Sequence, residues 1–340
     1  MKNNYICFVA GKSGGHLLPC ITAAKKIVEN NPATQILFFS TQTSLDKELL
    51  QKYSFIKENI YLPLSSLGRK GIFSYIRFAL TFVSSFFISF KTLYNKRPSK
   101  IISMGGAVSL PVCLVGSLLK IPIELIELNV IPGKTIKTLA QFSDSISICF
   151  QETQKYFTQK CYITEYPLRF NKSALLPPTT ARKQLGLDPH KKTIFVLGGS
   201  QGSLSINNYI KSWLQNSKSS FDSLQIIHQT GTNDYTDWKT FYKNLNITAL
   251  VFSFYHEIHY CYSAADLIIC RSGAGTLFEI AYFNKPCITI PLETISTNHQ
   301  RENALAFKKQ YGKNVTILFQ KDLKENLDIL VKTIQKNLNI

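Results

Sequence analysis

The strongest constraint in this 340-residue chain is an alternation of segment types that runs twice. Short β-branched and aromatic runs alternate with longer stretches of helical period, the pattern of parallel strands joined by crossover helices. In the first half, strands are predicted at Tyr5–Ala10, Gln35–Ser40, Lys100–Ser103, Ile123–Glu127 and Ser145–Phe150. Helices are predicted at Leu17–Asn30, Leu45–Tyr53, Ile72–Tyr94, Val108–Lys120 and Gly133–Gln141. The rhythm breaks over residues 166–192, where Pro177-Pro178 and Asp188-Pro189 flank a short helix candidate at Thr180–Leu185. It then restarts, with strands predicted at Thr193–Leu197, Leu224–His228, Ala249–Phe252, Leu267–Cys270, Cys287–Ile290 and Thr316–Phe319. The expected architecture is α/β, with two Rossmann-like domains at 1–165 and 193–320 and a linker region at 166–192. A terminal helix at 321–340 is expected to pack back on the N-terminal domain. A chain of this length suits two domains.

Each half opens with a strand, a glycine-rich turn and a helix. The first reads Phe8-Val9-Ala10-Gly11-Lys12-Ser13-Gly14-Gly15-His16, the second Phe195-Val196-Leu197-Gly198-Gly199-Ser200-Gln201-Gly202-Ser203. Glycine lets backbone approach a phosphate closely, and the helix start offers free N–H groups at a positive dipole end. A tight βα turn also needs glycine for steric reasons alone, so one loop leaves both readings open. Two loops at equivalent places point to a ligand near the carboxyl ends of both sheets. Neither satisfies GxxxxGK[ST] or GxGxxG, which weakens kinase-like and dehydrogenase readings.

The most specific stretch is Cys270-Arg271-Ser272-Gly273-Ala274-Gly275-Thr276-Leu277-Phe278-Glu279-Ile280-Ala281, a strand end, a turn and a helix predicted to start near Thr276. Its early amides can hold a diphosphate. Glu279, read as lying near the first helical turn, either accepts hydrogen bonds from two ribose hydroxyls or is an acid favoured by the helix dipole.

Composition narrows the partner. Thirty-nine Lys+Arg against 21 Asp+Glu leave a net charge of +18, which calls for an anionic partner: nucleic acid, an anionic membrane surface or phosphorylated small molecules. No nucleic acid is expected, because recognition motifs and concentrated basic runs are missing from the sequence. The eight cysteines are scattered without CxxC spacing and read as small buried hydrophobes. His256 and His259, three apart, read as an exposed helix face rather than metal ligands. The N-terminal apolar stretch is too short for a signal-peptide core.

Taken with GKSGGH near the start, GGSQG at 198–202, HQTG at 228–231 and Asn298-His299-Gln300-Arg301-Glu302-Asn303-Ala304, the chain resembles the MurG family almost throughout its length. These are the bacterial UDP-N-acetylglucosamine:lipid I N-acetylglucosaminyltransferases of peptidoglycan synthesis. The resemblance implies a GT-B glycosyltransferase, two Rossmann-like domains facing across a cleft. The C-terminal domain would bind UDP-GlcNAc and the N-terminal domain undecaprenyl-diphosphate-MurNAc-pentapeptide (lipid I). The muramyl O4 would attack the anomeric carbon with inversion, forming lipid II, and no metal or cofactor is expected.

Residue by residue, the resemblance implies that Ser13, Gly14 and Gly15 lie near the donor sugar and acceptor diphosphate. His16 becomes the candidate general base, the alternative being a residue that only orders the loop. A positioned base contributes about 10²–10⁴-fold, and imidazole is the side chain that ordinarily titrates near neutrality. Asn129 would contact the donor sugar, Arg169 would face the nucleotide, and Ser200 would lie near the diphosphate. Tyr255 would meet uracil through its backbone. Ala274, Gly275, Thr276, Leu277, Phe278 and Glu279 form the implied donor turn, with Glu279 on the ribose. His299 and Gln300 would touch sugar and phosphates.

The sequence departs from the family at Lys12 and Ser13, at Ile126 and Leu128 around Glu127, at Tyr166 and at His299. These positions leave acceptor and sugar contacts open. Gly68-Arg69-Lys70-Gly71 precedes an apolar stretch from Ile72 to Phe90, interrupted by Arg77. By itself it reads as a buried core helix; the resemblance implies instead a peripheral contact with an anionic membrane, at the cytoplasmic face of the inner membrane, with Arg69, Lys70, Arg77 and Lys91 near the headgroups. Two rival functions remain: a GT-B enzyme for another lipid acceptor, and a non-catalytic sugar-nucleotide-binding relative.

Overall fold

The computed structural model describes residues 4–11, 14–65, 72–199, 202–217, 221–232, 234, 236–293 and 299–339. The chain divides into two compact units, Met1–Arg169 and Phe170–Ile340. The first runs β1 (Tyr5–Val9), α1 (Gly14–Asn30), β2 (Gln35–Thr41), α2 (Ser44–Gln51), β3 (Ile56–Leu62), α3 (Ile72–Lys96), β4 (Lys100–Ser103), α4 (Ser109–Leu118), β5 (Ile123–Glu127), α5 (Lys134–Leu139), β6 (Ser145–Ile148) and β7 (Cys161–Ile163). The second continues with α6 (Pro178–Gln184), β8 (Lys192–Leu197), α7 (Leu204–Asn216), β9 (Leu224–Gln229), α8 (Trp238–Asn244), β10 (Thr248–Phe252), α9 (Ile258–Ala264), β11 (Leu267–Cys270), α10 (Ala274–Tyr282), β12 (Cys287–Thr289), α11 (His299–Tyr311), β13 (Val315–Ile317), α12 (Gln320–Glu325) and α13 (Asp328–Leu338).

The sheets are ordered β3-β2-β1-β4-β5-β6-β7 and β10-β9-β8-β11-β12-β13. Every described strand pair is parallel. Parallel strands are covered on both faces, so their side chains are apolar in continuous runs rather than in alternation. In β2, six successive residues after Gln35 are buried, and all six of β9 are. The pleat sends Cys7 and Val9 into the core shared with α4 and α5. Phe8 faces the other way and stacks on Phe38, ring centroids 6.4 Å apart. Each sheet reverses its winding beside its first strand, between β1 and β4 and between β8 and β11. That reversal opens a crevice at the carboxyl ends, where ligands of such sheets bind.

Two strands escape the sequence pattern. β3 carries Lys57, Glu58 and Asn59, which hide its period; Glu58 pairs with Lys96 and accepts the Tyr5 hydroxyl at 3.0 Å. β7 has only three residues. All eight cysteines are buried thiols.

The domain boundaries differ from expectation. Most of the expected linker is built into the second unit. Phe170 packs on Tyr282 and Phe283, with ring centroids 6.2 and 5.1 Å away. Arg182 is buried and donates to Asp266 Oδ2 at 2.7 Å and to the Ala264 and Pro189 carbonyls at 3.0 Å. The terminal helix, expected to pack on the N-terminal domain, is built into the core of the second unit. Leu330, Ile334 and Leu338, one turn apart on α13, lie in the same core as Ile194, Ile226 and Ile269. Each such burial contributes about 1.5–3 kcal/mol, enough to decide where this short helix docks.

The apolar stretch is not a core helix. Within Phe73–Lys96 the most apolar window is only 11% buried. One face, including Ser85, Ser89 and Leu93, is buried. The other shows Phe73, Ile76, Leu80, Val83, Phe87 and Tyr94, each at least 50% exposed. Their spacing of three, four and, before Tyr94, seven residues makes one continuous stripe.

Candidate active site

In the N-terminal unit the crevice lies at the adjacent carboxyl ends of β1, β4 and β5. α1 begins at Gly14, which places Gly15 and His16 in its first turn. His16 Nδ1 donates to the Met104 carbonyl at 2.7 Å. A carbonyl only accepts, so this bond puts the proton of the neutral ring on Nδ1 and leaves Nε2 with the basic lone pair. The turn after β4 seats the first glycine turn. Gly106 has φ +84°, and a Cβ there would stand 3.1 Å from the Gly11 carbonyl oxygen.

Glu127 ends β5 and is 1% exposed. Its Oε1 accepts the backbone N–H of Asn129 at 2.8 Å and the Asn129 side-chain amide at 3.2 Å. Its Oε2 accepts Gly133 N–H at 2.9 Å. Burial pushes the carboxyl above its ordinary range, against the Asn129 and Gly133 amides and the nearby His16, which pull the other way. Thr153 Oγ1 donates to the Asn129 carbonyl at 3.0 Å. Glu127 therefore aims Asn129 and lies within electrostatic reach of His16. Ile126 and Leu128, polar positions in the family pattern, are buried.

In the C-terminal unit the crevice lies between the ends of β8 and β11. Gly202 has φ +77°, and a Cβ there would fall 2.2 Å from the Thr230 carbonyl oxygen. This turn needs glycine for packing before any ligand is considered. The HQTG residues hold it from beneath. Asn207 Nδ2 donates to that Thr230 carbonyl at 3.0 Å and to Asp234 at 2.6 Å, while Asn207 Oδ1 lies 3.1 Å from His228 Nε2. His228 Nδ1 then accepts from the Tyr242 hydroxyl at 2.9 Å. Burial pulls His228 down to about 3, so the ring is neutral and its two nitrogens act as one donor and one acceptor.

α10 begins at Ala274, two residues before its predicted start. Ala274, Leu277 and Phe278 are buried, so the donor turn can present ligand groups there through backbone amides; Gly275, Thr276 and Glu279 are half-buried. Glu279 falls in the second turn of α10, not the first. The dipole effect fades within one turn, which removes the capping explanation for this acid. Glu279 instead accepts the hydroxyl of the fully buried Tyr262 at 2.7 Å on Oε2, which fixes the carboxylate's direction. His299 opens α11, and Gln300 accepts Leu292 N–H at 3.0 Å and, on its carbonyl, the Ser272 hydroxyl at 2.8 Å. Tyr255 follows β10 with its ring 5.0 Å from Phe252. Arg169 ends the N-terminal unit as an exposed side chain. Ser13 and Ser200 lie outside the described residues.

Comparison with known proteins agrees with this two-part construction. The glycosyltransferase family 28 N-terminal domain matches residues 6–148, and the C-terminal domain of the same family matches 193–339. A Thermodesulfovibrio yellowstonii protein named UDP-N-acetylglucosamine--N-acetylmuramyl-(pentapeptide) pyrophosphoryl-undecaprenol N-acetylglucosamine transferase is 32% identical, over 98% of this chain and 90% of its own. A Caldanaerobacter subterraneus protein of the same name is 31% identical, over 93% and 86%. The crystal structure of Acinetobacter baumannii MurG superimposes with a TM-score of 0.74 at 23% identity, covering 98% of this chain and 92% of that one. The chain belongs to the MurG family. It is an N-acetylglucosaminyltransferase of the GT-B fold class, built from two Rossmann-like domains.

Sequence reasoning carries over the family residues but misses the groups that orient them. In the sequence Glu127 reads only as the remnant of a polar motif; a carboxylate ending an otherwise apolar strand is the available signal. Tyr262, Asn207 and Arg271 give none, because their partners lie 17, 23 and 68 positions away.

Proposed function

We propose that this chain transfers GlcNAc from UDP-GlcNAc to the muramyl O4 of undecaprenyl-diphosphate-MurNAc-pentapeptide, with inversion at the anomeric carbon. The observation that carries this reading is the His16 tautomer, which leaves Nε2 basic at the mouth of the first glycine turn. Nε2 takes the O4–H proton as O4 bonds to C1 and the C1–O bond to UDP breaks. The leaving diphosphate gains its charge at the α10 amides, donors that are in place before the reaction and need no reorganisation. Glu279 holds the ribose, while Asn129, His299 and Gln300 hold the sugar. In a transfer assay with UDP-GlcNAc and lipid I in detergent, UDP release is expected to depend on lipid I. Intact UDP-GlcNAc beside demonstrably folded protein would refute transfer, and turnover on a diacylglycerol acceptor instead would identify the rival enzyme.

We infer that the enzyme works peripherally at the cytoplasmic face of the plasma membrane, its lipid-facing surface being the exposed stripe of α3. α3 connects β3 and β4, and both strands belong to one sheet, so this helix cannot cross a bilayer without tearing that sheet. It can lie in the interface, with the exposed Arg77 and Lys91 among anionic headgroups at about 1 kcal/mol each. Arg69 and Lys70, also expected there, lie outside the described residues. Flotation with anionic vesicles is expected to recover the wild type. The triple change Phe73→Ser, Leu80→Ser and Phe87→Ser is expected to cut recovery more than tenfold, since each loses about 1.5–3 kcal/mol of apolar transfer. Equal binding to neutral and anionic vesicles at low and high salt would remove the electrostatic part.

A further inference from the structure

Arg271 is the last thing a parallel sheet would be expected to bury. It follows β11 at the winding reversal beside β8 and is only 7% exposed. Its guanidinium donates to neutral acceptors. Nε reaches Ser203 Oγ at 3.0 Å. Nη1 reaches the Ile290 carbonyl at 2.9 Å, the Pro291 carbonyl at 3.3 Å and Gln320 Oε1 at 3.0 Å. Among the described residues no carboxylate pairs with it. Glu293 shares Gln320 only through its backbone N–H, and its side chain is exposed. Arginine does not shed its proton inside proteins, so the charge persists, and a buried charge without a partner is costly.

The surroundings add to that charge. Ser203 is the N-cap of α7 and accepts Ile206 N–H at 3.4 Å, so the guanidinium touches the start of that helix. Two residues beyond Arg271, Gly273 is the N-cap of α10. Neither helix has an acidic residue in its first turn. Two positive helix ends and a buried cation therefore share one crevice without a compensating anion among the described residues. Hydrogen bonding alone would not require a cation here, because every acceptor is neutral.

We propose that Arg271 is an electrostatic positioning residue whose missing counter-charge is the diphosphate of the bound nucleotide, acting through space and through Ser203 without touching the ligand. This rests on the donor reading of the C-terminal unit. The residue acts selectively. It strengthens binding of the charged nucleotide and of the departing UDP, and leaves the uracil and ribose contacts alone.

Calorimetric titration of the full chain with UDP and with uridine tests this. The wild type is expected to prefer UDP. In Arg271→Met, UDP affinity is expected to fall about 10- to 100-fold, the range for a unit charge acting over several ångströms at an effective dielectric near 20. Uridine affinity should stay within about twofold, which also reports an intact site. Equal losses for both ligands would mark a merely structural arginine and overturn the proposal. Should methionine prevent folding, Arg271→Lys decides: it keeps the charge and loses the fork, so the UDP-over-uridine preference is expected to survive even if both bind more weakly. Collapse of that preference in the lysine variant would overturn it as well. A wild type that binds neither nucleotide removes the donor reading and this inference with it, whereas an undiminished preference for UDP in Arg271→Met removes the inference alone.

Discussion

Replacing His16 by alanine is expected to lower kcat by about 10²–10⁴-fold, the range for a positioned general base, while the KM for UDP-GlcNAc moves little. The physical basis is the bond from Nδ1 to the Met104 carbonyl, which leaves Nε2 as the ring's basic nitrogen. A histidine that merely ordered the first turn would behave otherwise. Its loss would loosen the glycine turn, raise KM and lower the melting temperature together. Steady-state kinetics with UDP-GlcNAc varied at saturating lipid I separate the two outcomes. Unchanged turnover in a folded His16→Ala variant would remove the residue as base. His16→Asn keeps an N–H at the δ position that can donate to Met104 but supplies no base, so its turnover should be as low as alanine's.

Glu279→Ala carries the second large effect, on donor binding. A carboxylate that accepts two ribose hydroxyls makes charge-assisted bonds worth about 1.5–3 kcal/mol each. Its removal is therefore expected to raise the KM for UDP-GlcNAc by about 100-fold or more, since the two bonds together are worth at least about 3 kcal/mol and every 1.4 kcal/mol is a tenfold change. The same change strands the hydroxyl of Tyr262, which is fully buried. An unsatisfied buried donor costs about 1–3 kcal/mol, so some loss of stability accompanies the loss of affinity. Tyr262→Phe separates the two consequences, because it deletes the donor and the need for an acceptor together. That variant is expected to stay near wild-type stability, with only a modest rise in KM from a less firmly aimed carboxylate. Discrimination should also show in the nucleotide: 2′-deoxy-UDP-GlcNAc is expected to bind wild type and Glu279→Ala with more nearly equal affinity. A Glu279→Ala variant with wild-type KM would exclude the ribose role.

The pattern of residues foretells most of the architecture because parallel strands write themselves as apolar runs. It fails where a strand departs from that rule. Ile56–Leu62 is charged because it lies at the sheet edge, and Glu58 finds Lys96 on the crossover helix rather than solvent. It fails again at 166–192, where prolines look like a linker but Arg182 and Phe170 are anchored in the second unit. For Ile72–Phe90 the composition suits core and membrane equally. Exposure of Phe73 at 84% and Leu80 at 68% excludes the core.

Local chemistry can be read directly from the chain: two glycine turns, each feeding a helix, and a histidine and a glutamate at set distances from them. Such features depend on neighbours a few positions apart, which covalent geometry and helical period hold together wherever the chain goes. Which nitrogen of His16 is basic, which way Glu279 points and what surrounds Arg271 are properties of another kind. They depend on Met104, Tyr262 and Ser203, which lie 88, 17 and 68 positions away. Strand order brings His16 to Met104 and Arg271 to Ser203, because pairing β1 with β4 and β8 with β11 sets carboxyl ends side by side that the sequence keeps far apart, and the packing of α9 and α10 about β11 brings Tyr262 to Glu279.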